Sequence, residues 1–289
     1  MLSALFKTMR PRQWTKNVFI FAALVFDKQL FVVDSFLRTI AGFALFCLIS
    51  SSVYIFNDLA DVEADRQHPE KKNRPIASGK LPVSTAWAAG IVMVVVTLVL
   101  AYLLAPAFCA VVAGYFILNL AYSQSLKHVA ILDVLIISAG FVLRVGAGVT
   151  LIHVERFSPW LYIVMFLLSL FLGFGKRRAE LALLTHDAGS HRKVLDGYTL
   201  PLLDQYIMIV SGTTIVAYSL YTFSAPNVPE NHSMMLTIPF MVYAIFRYLY
   251  LIEVEHAGGT PEEVLISDRP FQISMFLWAV SVIAIFYFS

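Results

Sequence analysis

Apolar runs long enough to cross about 30 Å of hydrocarbon as helices recur along this sequence, at roughly 17–33, 35–56, 84–104, 106–122, 129–151, 158–175, 204–224, 233–251 and 270–288. A backbone inside a bilayer must satisfy its own hydrogen bonds, so the pattern dictates an all-α, polytopic membrane bundle of about nine transmembrane helices. The first run is the weakest, because Asp27 and Lys28 interrupt it, and the fourth is short and follows Pro106; the number of crossings can fall to eight. Composition agrees, since 59% hydrophobic and 14% charged residues lie far from the balance of a soluble domain. The basic N-terminus is followed by no small-residue cleavage site, so no removable signal peptide is expected. Cys47 and Cys109 both fall inside apolar runs and imply neither a disulfide framework nor a thiolate metal site.

The cations set the orientation. Lys7, Arg10, Arg12 and Lys16 precede the first run, five cations lie in 57–83, Lys127 in 123–128, and five more in 176–203. The opposite connections carry Arg156 alone. The positive-inside rule therefore puts the N-terminus and the loops 57–83, 123–128, 176–203 and 252–269 in the cytoplasm of a multi-pass cell-membrane protein, with the C-terminus outside. A net charge of +2 is too small to suggest a nucleic-acid partner. No linker or second soluble domain is visible, so residues 1–289 read as one membrane domain whose chemistry lies on the cytoplasmic face.

That face opens with Asn57-Asp58-Leu59-Ala60-Asp61-Val62-Glu63-Ala64-Asp65. On a continuous helix Asp58, Asp61 and Asp65 share one face over two turns, where like charges repel. A hard divalent cation explains such an alignment at a membrane boundary better than a solvated acidic helix end does, and it leaves positions for phosphate oxygens. Asn57, Asp58 and Asp61 are the candidate catalytic residues, and Asp58, Asp61 and Asp65 the candidate metal ligands. The following segment, Arg66 to Lys80, is broken by Pro69 and Pro75 and turns at Gly79. Its cations suit an anionic, metal-bound ligand, with Arg74 or Lys80 binding oxygens that the ion leaves free.

Asn57-Asp58-x-x-Asp61-x-x-x-Asp65 followed by Asn73-Arg74-Pro75-Ile76-x-Ser78-Gly79 resembles the first aspartate motif and adjoining loop of the UbiA-type intramembrane prenyltransferase superfamily. The resemblance covers nearly the whole chain. It implies nine helices around a central cavity open to the cytoplasmic side and the bilayer, with magnesium (or manganese) and a donor diphosphate held by Asp58, Asp61 and Asp65.

The second half departs from that pattern. Between the sixth and seventh helices, where the superfamily repeats an Asp-x-x-x-Asp motif, this chain reads Gly173-Phe174-Gly175-Lys176-Arg177-Arg178-Ala179-Glu180, then His191-Arg192-Lys193, then Tyr198, and Asp187 and Asp196 are nine apart. Basic groups here suit a phosphate that carries no metal of its own. With Arg10-Pro11-x-Gln13-Trp14-x-Lys16-Asn17 and Tyr122-Ser123-x-x-Leu126-Lys127, the chain is similar to the decaprenyl-phosphate phosphoribosyltransferase branch. That branch implies transfer of 5-phosphoribose from phosphoribosyl diphosphate to a polyprenyl phosphate, for synthesis of a pentose donor to cell-envelope arabinan. It implies substrate-binding roles for Lys16, Arg74, Lys80, Tyr122, Lys127, Lys176, Arg177, Glu180, Arg192, Lys193 and Tyr198, and leaves homo-oligomerisation open. The acceptor phosphate is already ionised, so no strong general base is needed, and His128, His186 and His191 show no catalytic arrangement.

Asp133 and Arg144, eleven residues apart in the fifth run, lie on nearly one face and read as a pair or as cavity lining, though Asp133 is near enough to the boundary to be wetted. Glu180 reads either as completing a metal shell or as a partner of Lys176 one turn earlier, the pairing being the blander account. Gly140, Gly146 and Gly148 read as sites of close helix packing. Two other classes compete: a carrier for an anionic lipid or metabolite, against which the charge gathered at one face argues, and a prenyltransferase with an aromatic or quinone-precursor acceptor, against which the missing second acid motif argues.

Overall fold

The computed structural model describes residues 1–154, 158–184, 193–255 and 267–288, and these are helical with no strand among them. In order the helices are α1 (Leu2–Thr8), a 3-10 helix over Pro11–Phe21, α2 (Ala22–Phe26), α3 (Val33–Ala60), α4 (Val62–Gln67), α5 (Val83–Leu104), α6 (Pro106–Gln124), α7 (Leu132–Val149), α8 (Pro159–Leu184), α9 (Leu200–Ser224), α10 (Ile238–Glu253) and α11 (Arg269–Phe288). Eight segments among the described residues are long and apolar enough to cross a membrane: α3, α5, α6, α7, α8, α9, Ser233–Glu253 and α11. The expected span at 17–33 takes a different form. Its first part is the 3-10 helix, α2 adds only five residues, and Lys28 leaves the helix at φ 57° beside Asp27. Two adjacent charges and a left-handed residue end the run there.

The chain divides into two compact units. Unit 1 comprises Met1–Val25, Gln29–Gln124 and Leu143–Val154. Its axis is α3, which packs on α5, α6 and the 3-10 helix. Ile20, Phe46, Ile49, Phe108, Val112, Ala147 and Leu151 are buried in its core. At Gly148 only glycine fits, because a Cβ would stand 2.0 Å from the Ile20 carbonyl oxygen. The 3-10 helix lies flush on α7 for that reason, as small residues permit in membranes. Arg38 ties two helix ends together, donating from Nε to Leu151 O and from Nη2 to Leu104 O, each at 2.9 Å. Both carbonyls are at or near helix C-termini, where a cation opposes the exposed negative ends. By contrast, one face of α5 leaves Ile91, Val92, Val95, Val99 and Leu103 exposed, as a lipid-facing helix requires.

Unit 2 comprises Phe26–Lys28, Ser125–Val142 and Glu155–Ser289. Here α8 packs along α9, and α10 packs on both α9 and α11. α11 starts at a built cap: Asp268 Oδ1 accepts the Phe271 N–H at 2.7 Å while Oδ2 pairs with Arg247 Nη2 at 2.7 Å. The hydrogen bond from Arg247 holds the Asp268 carboxyl below its ordinary range.

Candidate active site

Asn57 to Asp65 lies where α3 gives way to α4, and the chain breaks there. Asp61 N–H donates to Asn57 O at 3.0 Å, Asp61 adopts φ −95° and ψ 7°, and α4 resumes with Asp65 N–H on Asp61 O at 2.8 Å. The expectation of three acids along one uninterrupted face is thereby corrected, because the non-helical Asp61 falls between the other two. Asp58 and Asp65 are buried, whereas Asp61 is half-buried at the corner.

Arginine joins the two buried acids. Arg74 Nη1 donates to Asp58 Oδ1 at 3.1 Å and to Asp65 Oδ2 at 2.7 Å, and Arg10 Nη2 reaches Asp58 Oδ1 at 2.6 Å across 48 residues of sequence. Arg10 also lies over the Tyr54 ring, 4.8 Å from its centroid. Its backbone is left-handed at φ 53°, just before Pro11. Asn57 Oδ1 accepts the Ser123 hydroxyl. A cavity of about 280 Å³ opens beside this cluster, lined by Lys7, Thr8, Arg10, Asp58, Glu70, Asn73, Arg74 and Pro75. Reasoning from sequence assigned Asp58 and Arg74 to a site but gave no role to Lys7, Thr8, Arg10, Glu70 or Asn73. Arg10 was visible in the Arg10-Pro11 motif; Lys7 was visible only as one more N-terminal cation. Lys80 is exposed and is not among the lining residues.

A second carboxylate–guanidinium centre lies in unit 2. Asp133, fully buried, accepts Arg177 Nε on Oδ2 at 2.6 Å and the Tyr198 hydroxyl on Oδ1 at 2.7 Å. Arg177 also donates to Glu180 Oε2 at 2.5 Å, and the Ile131 N–H donates to Tyr198 Oη at 2.6 Å. Burial, then the hydrogen bond to Asp133, pushes the Tyr198 phenol above its ordinary range, so it remains a donor. Ile131 is left-handed at φ 71°, a strained conformation for a β-branched residue. Two expectations change here: Asp133 is fully buried rather than wetted, and its guanidinium partner is Arg177. Glu180 meets Arg177 as well. Arg144 instead donates to Asn17 Oδ1 and the Tyr115 hydroxyl, each at 2.9 Å, within the core of unit 1.

The remaining expected residues are spread over both units. Lys16, Tyr122, Lys127 and Lys176 are half-buried. Arg178 is committed to Asp204 at 2.5 Å and Glu253 at 2.7 Å. Lys193 opens a 3-10 turn over Lys193–Gly197, and Arg192, with His186, Asp187 and His191, lies outside the described residues.

Comparison with known families identifies the architecture: residues 17–280 match the UbiA prenyltransferase family. This chain belongs to that family. It is 36% identical to a decaprenyl-phosphate phosphoribosyltransferase of Mycolicibacterium smegmatis over 100% of this chain and 94% of the relative, and 34% identical to one of Mycobacterium tuberculosis over 98% and 94%. Among solved structures it superposes on a UbiA homolog from Archaeoglobus fulgidus bound to GPP and Mg2+ with a TM-score of 0.74, 18% identity and coverage of 98% and 99%. The family and the eight apolar helices make this an integral membrane protein.

Metal is implied by the family, and the cluster of unit 1 can be tested for it. Among the described residues no three His, Cys, Asp or Glu side chains form a metal-binding group. Asp58 and Asp65 nevertheless fit a divalent ion in kind: both are hard oxygen donors, and one guanidinium nitrogen already contacts a carboxylate oxygen of each. The adjoining cations suit phosphate oxygens accompanying the ion.

Proposed function

We propose that this protein transfers 5-phosphoribose from phosphoribosyl diphosphate to a polyprenyl phosphate in the cell membrane, yielding a polyprenylphosphoryl-5-phosphoribose that supplies a pentose donor for envelope arabinan. The observation that carries the reading is the full-length similarity to relatives bearing that activity in their names, at 36% and 34% identity. The stretch Lys176-Arg177-Arg178-Ala179-Glu180, which lacks the Asp-x-x-x-Asp motif that would serve an isoprenyl diphosphate there, supports it.

In this reading the anomeric C1–O bond to diphosphate breaks and a C1–O bond to a lipid phosphate oxygen forms, with no net proton transfer. Asp58 and Asp65, with Asp61 at the corner between their helices, would hold Mg2+, for which Mn2+ can substitute, and the ion supplies charge stabilisation to the departing diphosphate. Arg10, Arg74 and Lys7 face the cavity and orient phosphate oxygens there, with Asn57 fixing the end of α3 through Ser123. Lys16, Lys80, Tyr122, Lys127, Lys176, Arg192 and Lys193 serve the donor's 5-phosphate and the lipid phosphate. Arg177, Glu180 and Tyr198 act through the buried Asp133 centre, as positioning groups for the loop they join.

The two units are read as one domain, because a single family match runs through both. The 3-10 helix and α2 are read as the ninth crossing. Eleven residues at about 2.0 Å and five at about 1.5 Å rise roughly 30 Å, enough for the hydrocarbon region. Nine crossings put the termini on opposite sides, N-terminus in the cytoplasm. Cysteine introduced at Lys72 should then be shielded from an impermeant thiol reagent in intact cells while one at Asn231 reacts; equal reactivity would exclude this topology.

The deciding experiment incubates purified protein with Mg2+, radiolabelled phosphoribosyl diphosphate and decaprenyl phosphate, and looks for label in the lipid phase. Label in the lipid, lost in excess chelator, is expected. Transfer from geranyl diphosphate to an aromatic acceptor, with phosphoribosyl diphosphate inert, would replace this reading by an ordinary prenyltransferase.

A further inference from the structure

Asp58 and Asp65 are the acids on which metal binding rests, and in the structure their contacting oxygens are taken. One guanidinium nitrogen of Arg74 contacts both carboxylates, at 3.1 and 2.7 Å, and Arg10 contacts Asp58 at 2.6 Å on the oxygen that Arg74 also uses. Two negative charges thus face two positive ones, and two guanidiniums share one oxygen of the buried Asp58. A divalent ion arriving alone would face the repulsion of both guanidiniums and leave net positive charge in a half-closed pocket.

We propose that Arg10 and Arg74 are internal counter-ions that keep bare metal out of the Asp58–Asp65 pair, so that a divalent ion and a phosphate group bind only in concert. The proposal rests on the reading that these aspartates hold the ion, and adds what controls its entry. Phosphate is the anion that exchanges the arginines: a planar guanidinium recognises it in the same bidentate manner as a carboxylate. Arg10 and Arg74 have somewhere to go. Their side chains are 33% and 29% exposed, and both line the 280 Å³ cavity with Lys7 and Asn73. A short rotation into that cavity moves each guanidinium from carboxylate to phosphate while the freed carboxylate oxygens turn to the metal. Charge stays balanced throughout, because the dication and the phosphate enter as a neutral pair. Arg177 in unit 2 is 2% exposed and has no such freedom, so the exchange is a property of the unit 1 cluster.

Linkage makes the idea measurable: if phosphate assists the metal, the metal assists phosphate by the same factor, for which couplings of about 5–150-fold are typical. The probes are Mn2+, followed by the electron paramagnetic resonance of the free ion, and inorganic phosphate, with Mn2+ bound by phosphate in protein-free solution subtracted. Wild-type protein in detergent should bind Mn2+ weakly alone and at least about five-fold more tightly with saturating phosphate. Arg74→Gln should bind Mn2+ alone more tightly than wild type and lose most of the phosphate effect. Arg74→Lys, which keeps the charge and covers the case in which Arg74→Gln does not fold, should bind Mn2+ alone as weakly as wild type. A wild-type affinity indifferent to phosphate, or an Arg74→Gln protein that binds Mn2+ no better, would overturn the counter-ion role and leave the metal site standing. No Mn2+ binding under any condition would remove the metal site itself. Neither measurement uses phosphoribosyl diphosphate or lipid, so the result is separate from the identity of the donor.

Discussion

The two carboxylate–guanidinium centres are built from the same parts and differ in what surrounds them. Asp58 with Arg10 and Arg74, and Asp133 with Arg177, each set a buried aspartate against arginine, and each includes a left-handed non-glycine residue, Arg10 in one and Ile131 in the other. In unit 1 the arginines are about one-third exposed and border a cavity; in unit 2 both partners are closed off and Tyr198 takes a remaining carboxylate lone pair. An ion pair that keeps one side open can be exchanged for a ligand, whereas one that is fully dry can only be kept or lost. Openness, rather than the presence of charge, distinguishes the candidate site, and substitutions should divide the two centres accordingly.

The largest effect should come from breaking the closed pair. Arg177→Met leaves Asp133 buried without its guanidinium and is expected to cost about 3–5 kcal/mol of stability, read as a fall in the denaturation midpoint of the detergent-solubilised protein. Wild-type stability in that variant would erase the contrast. Asp58→Asn, at the open centre, should spare the fold but lower phosphoribosyl transfer by roughly a hundred- to a thousand-fold, about 2.7–4 kcal/mol. A variant that loses fold and activity together would make the open centre structural too. Smaller again, Lys176→Ala removes one charge-assisted contact from the basic stretch and should reduce kcat/KM by roughly ten- to a hundred-fold, with an unchanged Mg2+ requirement. Altered metal dependence there would mean that metal also works in unit 2.

Asp268 supplies the smallest effect and a pH test. Arg247 holds its carboxyl below the ordinary range, so its stabilisation is full above the unfolded value of about 3.9 and is lost as the pH falls through the lower folded value. Asp268→Asn should cost about 1 kcal/mol near neutrality, and the difference from wild type should shrink below about pH 4. A gap that persists unchanged into acid would show that the carboxylate charge is not what caps α11.

Much of the fold was legible because hydropathy is local: the apolar run at 35–56 became α3, 84–104 became α5, and 270–288 became α11. The first run was not, since a 3-10 segment has no signature in hydropathy that distinguishes it from an α-helix. At the site the acids were legible through their spacing, but their partners were not. Arg10 meets Asp58 across 48 residues, and Tyr198 meets Asp133 across 65. No periodicity encodes such pairings; packing alone selects them. The break at Asp61 was hidden as well, since neither glycine nor proline marks it.

The length of α3 carries a consequence for where the reaction takes place. Its 28 residues rise about 42 Å, against roughly 30 Å of hydrocarbon. The excess of about 12 Å must be taken up by tilt or by protrusion into the headgroup layer, and the partition between the two depends on the thickness of the host bilayer. Asp58 sits in the last turn of that helix, so its depth relative to the headgroup layer is set jointly by the protein and the membrane. Acyl-chain length thereby acts on the position of this carboxylate, through geometry with no ligand and no modification of the protein.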